Sequence, residues 1–406
     1  MIPPDVPAIP HVERDANAPT RPHGSTATQL KQAFIGLLVG GAGAACAILF
    51  ARMYRHAGRS AVSAPTHSLP VIVATLVALT LLVLFIHEGG HALFAWTAGM
   101  PMVIMWCGPF MITTYRRVRV RLNPVLGLAG GAVLCAPTSW RGRRDFVPRM
   151  TRFVAGGPLT SLITGALAFA ILFATESSTP RAMGWGRFLI AIFGLLSIGI
   201  GAVTSLPLKP NGLTPHDGAK FRWLRRDARN EEEPVLPFLA LSLLAQRQRP
   251  NEWADDLVLA AARWTEALPP QYKMSVHLSL HQRAVDTDDV SSAARHLNDA
   301  LQAGALPSTP LSFWQMATME AALFELIVRG SLDAGERWLK SASAEKHDPV
   351  GHALVDAGRA LIAGDRRQAG EHLAHTRRLM DDVALPSVAL TRQRYVELIL
   401  AAIDAR

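Results

Sequence analysis

Four long runs of apolar residues set the organisation of this chain. They cover about residues 33–51, 70–94, 153–175 and 188–206. As helices, runs of this length cross the roughly 30 Å of hydrocarbon in a bilayer. The pattern therefore predicts a mainly α, polytopic membrane protein with about four transmembrane helices in a membrane-embedded domain over residues 31–225.

The segments before and between these runs have a different pattern. Residues 1–30 are rich in proline and lack a periodic apolar face, which predicts a disordered tail. Residues 114–122 partly alternate basic and apolar side chains, which is typical of a strand with one solvent-exposed face. The apolar stretches 102–113 and 124–137 are too short and too interrupted to cross as helices. We therefore expect a small membrane-associated β-hairpin region, which either binds an extended peptide by strand addition or rests on the lipid surface.

Residues 226–406 change to a helical pattern of soluble character. A turn followed by a helix recurs near Pro250, Asp288, Gly330 and Gly364, with 34 residues between the last two. This predicts a soluble C-terminal α-helical solenoid that resembles a degenerate tetratricopeptide-type repeat and binds a partner protein. We assign the histidines of this region to solvated helix faces because they show no metal-ligand spacing: His277, His281, His296, His352, His372 and His375.

The charge pattern supplies an orientation. The formal net charge is +9, and nine arginines lie between the second and third apolar runs, against two between the third and fourth. The positive-inside rule then places the long loop, both termini and the helical region in the cytoplasm. Three arginines after the first run oppose this arrangement. The basic residues are not interleaved with aromatic residues in a known motif, so the lipid bilayer is the expected partner and nucleic acid is not.

The second apolar run contains the sequence His87-Glu88-Gly89-Gly90-His91 near its end. On a helix the two histidines share one face, so their imidazoles can bind one Zn²⁺. Glu88 can then serve as general base toward a water molecule that the zinc activates. Such residues are costly at the end of a membrane span, which favours a functional site over a chance motif in a surface helix.

Two histidines do not complete a catalytic zinc site, which ordinarily has three protein ligands. Asp217 follows the last apolar run and offers an oxygen ligand, and Gly218 permits a turn that aims it. Asn211 and His216 are candidate oxyanion donors or substrate contacts, although both can equally stabilise the turn.

Together these motifs resemble the site-2 protease family of intramembrane zinc metallopeptidases. The resemblance covers about residues 70–225 and rests on three elements: the His87–His91 motif, Ala155-Gly156-Gly157-Pro158 at the opening of a middle helix, and Pro207…Asn211-Gly212…Asp217-Gly218. It implies a three-helix core in which His87, His91 and Asp217 bind zinc and Glu88 activates water. The implied substrate is a transmembrane or juxtamembrane peptide.

The chain departs from the family pattern at three positions. His216 stands where the family usually has an apolar residue, and Ser161 and Ser205 stand where asparagine is common. None of these changes removes a ligand or the base. We expect a zinc metalloendopeptidase that cleaves near the cytoplasmic face. The alternative is a non-proteolytic zinc-containing scaffold whose helical repeats bind partner proteins.

Overall fold

The computed structural model describes most of the chain outside its N-terminal part. The described residues are 9–14, 69–123, 130–175, 185–207, 216–226, 228, 230, 232–342 and 348–405. The predicted span at 33–51 and the candidate residue Asn211 lie outside them.

Three long helices form the apolar part of the molecule: α1 (Leu69–Thr97), α2 (Arg143–Ala174) and α3 (Trp185–Ser205). The middle helix α2 packs against both of the others. Large apolar side chains such as Val77, Leu82 and Phe85 remain exposed on α1, as expected for a helix that faces lipid. These helices occupy three of the four spans that the sequence predicts.

The start of α2 differs from the prediction. The helix begins at Arg143, whereas the predicted span begins near residue 153, so Gly156 and Pro158 lie within it and not at its opening. The reason is burial. Phe146, Val147 and Met150 on the first turns pack into a core shared with the C-terminal helices, so the helix continues beyond its apolar run.

Four short strands form an antiparallel sheet between α1 and α2. They are β1 (Met102–Cys107), β2 (Phe110–Thr113), β3 (Arg119–Leu122) and β4 (Ala132–Cys135), in the order β3-β2-β1-β4. A two-residue turn joins β1 and β2, and its Gly108 has a left-handed φ of 54°. The predicted hairpin region is confirmed, and it has more strands than one hairpin.

The C-terminal region consists of packed helices with short connections. They are α4 (Asp217–Arg226), α5 (Val235–Leu244), α6 (Asp255–Trp264), α7 (Pro270–Asp286), α8 (Val290–Ala305), α9 (Leu311–Leu323), α10 (Leu332–Ala342), α11 (Pro349–Ile362), α12 (Arg366–Asp382) and α13 (Pro386–Asp404). Short 3₁₀ turns cover Pro250–Glu252 and Thr265–Ala267, and a π turn at Phe324–Val328 extends α9. Aspartates cap three helices by accepting backbone N–H bonds, as at Asp289 of α8.

Four helices among the described residues are long and apolar enough to cross a membrane, and the fourth is Leu311–Val328. This fourth helix is 67% buried, with Leu323 and Phe324 fully buried in the helical core, while Leu311 and Met316 near its start are exposed. Its Glu320 forms a buried ion pair with Arg392 and accepts a hydrogen bond from Tyr395 at 2.8 Å. Because most of its surface is covered by protein, we assign this helix to the helical region and not to the bilayer. The predicted mainly helical membrane fold is confirmed.

Two contacts join distant parts of the chain to the helical region. Residues 9–14 of the predicted tail lie on it: the Ile9 N–H donates to Glu325 at 3.4 Å, and Arg14 donates to the Thr309 carbonyl at 2.7 Å.

The basic side chains next to and within β3 form the second contact. Arg116 pairs with Asp381, and Arg119 and Arg121 both pair with Asp382 at the end of α12. The alternate side chains Val120 and Leu122 are exposed on the opposite face. The arginines therefore hold the sheet to the helical region, and the apolar face is the one available to lipid or peptide.

Candidate active site

The HExxH residues lie on α1 where that helix crosses α2. His87 and His91 point to the same side, one turn apart, with ring centroids 4.9 Å from each other. His87, Glu88 and His91 are all buried, at 3%, 6% and 5% exposure. A helix that is otherwise apolar thus places its polar groups together against protein.

The outer ring nitrogens of both histidines have partners on α2. The Nδ1 atom of His91 lies 2.8 Å from the Phe153 carbonyl oxygen, and that of His87 lies 3.0 Å from Ser161 Oγ. Because a carbonyl only accepts hydrogen bonds, the Phe153 contact assigns a proton to Nδ1 of His91, and its Nε2 atom faces Asp217. Contacts of this type orient a histidine as a metal ligand.

Glycines allow α1 and α2 to approach this closely. A Cβ at Gly157 would collide with His91 Nε2, and a Cβ at Gly156 would collide with the Gly90 carbonyl. The Gly-Pro element of the sequence therefore belongs to the site, although its role is close packing in the middle of α2.

Asp217 is the first residue of α4 and reaches both histidines. Its Oδ2 lies 3.4 Å from His87 Nε2 and 3.2 Å from His91 Nε2. Gly218 lies inside the helix without a left-handed φ, so the predicted turn is wrong. Instead, the missing Cβ lets α4 begin directly against the Ser205 carbonyl at the end of α3.

The charge on Asp217 is favoured by its neighbours. Burial alone would raise the pKa of Asp217, but the rings of His87 and His91 and the Lys220 ammonium hold it well below its usual range. Lys220 Nζ lies 3.3 Å from Oδ1, one turn along α4. Asp217 is therefore a carboxylate, the form that binds metal.

Glu88 faces the sheet. Gly131, directly before β4, lies so close that a Cβ built there would be 2.6 Å from Glu88 Oε1. β4 pairs with β1 on one side and is an edge strand of the described sheet. The carboxylate therefore lies beside the start of an edge strand.

The structure brings together four of the six predicted site residues: His87, Glu88, His91 and Asp217. Asn211 is outside the described residues, and His216 precedes α4, where its carbonyl accepts the Ala219 and Lys220 N–H groups. Sequence reasoning missed the contributions of Gly131, Lys220 and the Phe153 carbonyl. Only Lys220 had a signal, because its position three residues after Asp217 puts it on the same helix face.

The donor atoms of this membrane cluster (His87, His91 and Asp217) fit a zinc ion. A proton or a metal ion must lie between each Nε2 atom and the carboxylate, and the ligand atoms of the two imidazoles and the carboxylate all lie within 4.8 Å of one another. Zinc–ligand bonds of about 2.0–2.2 Å are compatible with the observed separations.

A family comparison agrees with this geometry. The model of peptidase family M50 matches residues 74–368. The chain belongs to peptidase family M50. M50 peptidases are typically zinc metallopeptidases, and the apolar helices make this member an integral membrane protein. The prediction of a site-2 protease relative is confirmed, whereas the tetratricopeptide-type repeat stays a prediction. Searches of curated proteins and of solved structures found no match.

Proposed function

We propose that this M50 member is an intramembrane zinc metalloendopeptidase that cleaves a transmembrane or juxtamembrane peptide bond. The observation that carries the proposal is the convergence of His87, His91 and Asp217 beside a buried Glu88. A zinc ion held there would lower the pKa of water toward about 7 and polarise the scissile carbonyl.

Other residues of the chain orient the metal ligands and transfer protons. Ser161 and the Phe153 carbonyl hold the two imidazoles in orientation. Glu88 takes a proton from the attacking water and delivers it to the leaving amide nitrogen. Its burial against Gly131 keeps bulk water from competing for the carboxylate. Asn211 and His216 remain candidate donors to the developing oxyanion.

The edge of β4 offers a place for the substrate. A substrate helix must unwind before its carbonyl can be attacked, because backbone groups in lipid are otherwise satisfied within the helix. An unwound segment that pairs with β4 regains those hydrogen bonds and runs past Glu88. The hairpin region would thus bind peptide at β4, while the exposed apolar face of β3 rests on lipid.

The arginine distribution supports cleavage near the cytoplasmic face, with both termini and the helical region in the cytoplasm. A proteolysis assay on sealed vesicles of known orientation checks this. A C-terminal tag should be digested only in inside-out vesicles. Digestion in right-side-out vesicles would show that the topology is the reverse of the one proposed.

The activity is tested by comparing membranes from cells that express the wild type or the Glu88→Gln variant. New protein N-termini, found by mass spectrometry within or beside apolar spans, should appear with the wild type and be absent with the variant. The variant should retain its zinc, which shows that the base and not the metal was removed. Identical sets of N-termini would reject the peptidase and favour the scaffold alternative, whose helical repeats bind a partner protein.

A further inference from the structure

A second group of two histidines and one aspartate lies in the helical region, far along the chain from the first. His277 is on α7, and His296 and Asp299 are one turn apart on α8, which packs against α7. Their ligand atoms all lie within 4.8 Å of one another. His277 Nδ1 is 3.8 Å from Asp299 Oδ2, and the two imidazole centroids are 5.8 Å apart. We call these three residues the helical-region cluster.

The histidines of this cluster are not ordinary buried histidines. The His277 side chain is only 10% exposed, yet neither of its ring nitrogens forms a hydrogen bond within the described part of the chain. The same is true of His296 Nδ1. His281, one turn along α7, instead has the Ala293 carbonyl at 2.8 Å and Tyr395 Oη at 3.3 Å. A buried polar atom without a partner destabilises the fold, so the orphaned imidazoles point to a ligand.

The cluster combines unpaired ring nitrogens with a carboxylate. A neutral imidazole has a lone pair to donate, and no hydrogen bond within the described residues occupies either ring nitrogen of His277. The nearby Lys273 ammonium is paired with Glu266. Asp299 supplies the negative charge, and because its side chain is 38% exposed, an ion can enter from solvent.

We propose that His277, His296 and Asp299 bind a divalent transition metal ion, for which zinc is the best chemical match. Two imidazoles and a carboxylate are a usual zinc donor set, and solvent beside Asp299 can supply the fourth ligand. Ligands of a tetrahedral zinc lie roughly 3.3 Å apart, so small side-chain rotations bring the three donors into range. The ion would tie α7 to α8 and stabilise the helical region, because it binds the folded state and not the unfolded chain.

The test counts metal ions on the full-length protein in detergent. Apo protein is prepared with a chelator, equilibrated with Zn²⁺ and desalted, and bound zinc is measured by mass spectrometry. We expect two ions per chain in the wild type and one in Asp299→Asn, an isosteric change at a half-exposed position. His375→Ala, which removes an exposed histidine of α12, is the matched control and should retain two.

A second background isolates the new site. The His87→Ala/His91→Ala variant should bind one zinc ion, which raises its unfolding temperature, and adding Asp299→Asn should abolish both effects. Equal zinc content in the wild type and Asp299→Asn would overturn the proposal, as would a His87→Ala/His91→Ala variant that binds none. If the wild type binds one ion and Asp299→Asn binds none, the membrane site is rejected and the helical-region cluster is retained. Failure of the proposed function and failure of this proposal therefore give different results.

Discussion

The membrane cluster and the helical-region cluster contain the same donor groups in very different surroundings. In the first, both Nδ1 atoms are held by partners on α2, and Glu88 stands next to a ligand. In the second, three ring nitrogens lack such partners within the described residues, and the neighbouring Glu266 is paired with Lys273. Identical ligands therefore do not imply identical chemistry. A base and a strand edge suit the first for hydrolysis, whereas the second lies between two packed helices and suits an ion that joins them.

Removal of metal should produce the largest difference between the two clusters, because one is expected to act in catalysis and the other in stability. Treatment with a chelator should lower peptide cleavage by about a thousandfold or more, because the water and the carbonyl lose their activating charge. The same treatment should lower the unfolding temperature by only several degrees, since the helical region keeps its apolar core. Added zinc should restore both. Full cleavage after the metal has been removed would contradict the assignment of the membrane cluster.

The crossing of α1 and α2 provides the next largest effect. A Cβ at Gly90 would meet Thr160 and the Gly156 carbonyl, whereas a Cβ at Gly89 meets nothing within 4 Å. Gly90→Ala should therefore displace the histidines and reduce turnover about a hundredfold, in line with misplacements near 1 Å. Gly89→Ala, the adjacent control, should keep wild-type turnover. Equal activities would show that the close crossing is not needed.

A smaller effect is expected from the contact that orients His87. Ser161→Ala removes the hydroxyl 3.0 Å from Nδ1 and should weaken zinc binding about ten- to a hundredfold. Ser197→Ala is the control, because this buried hydroxyl on α3 has no hydrogen-bond partner within the described part of the chain. Competition with a chromophoric chelator measures both affinities. If the two variants behave alike, Ser161 does not orient the ring.

The smallest effect concerns the junction of sheet and helical region. Asp381→Asn with Asp382→Asn should raise hydrogen exchange in β3 and cost about 0.2–1 kcal/mol per exposed pair. Glu371→Gln, which affects an exposed pair with Arg367 on the same helix, should not change exchange in β3.

The pH dependence of this junction has a definite sign. Burial opposes ionisation of Asp382, but Arg121 and Arg119 outweigh it and lower the pKa of that carboxyl. The stabilisation is therefore present above the ordinary carboxyl pKa of about 3.9 and is lost only as pH falls through the lowered value. The protection factors of the β3 amides, from which the intrinsic pH dependence of exchange has been removed, should be flat between about pH 5 and 8 and should fall with salt. A change near neutral pH would show that another group controls the contact.

The sequence predicted most of the membrane cluster because helical periodicity alone puts His87 and His91 on one face. The prediction of Asp217 as the third ligand required only that two apolar runs end on the same side of the bilayer. The start of α2 was not predictable, because Phe146 and Met150 gain their partners only when the C-terminal helices fold over them. The approach of Gly131 to Glu88 likewise depends on how the sheet is placed.

The helical-region cluster was missed for a related reason. His277 and His296 are on different helices, and no spacing along the chain reveals that they face each other. Only the packing of α7 on α8 brings them together. The interpretation of the histidines as solvated is therefore wrong for three of them, since His277 and His281 are buried and His296 is half-buried.

The contact of residues 9–14 with the helical region constrains how many times the chain crosses the bilayer. Two segments that touch outside the membrane lie on the same side of it, so an even number of crossings must separate them. The helices α1, α2 and α3 contribute three, and Leu311–Val328 adds none because it is buried in the helical core. The predicted count of four spans, the first of which lies outside the described residues, stays a prediction and is compatible with this parity.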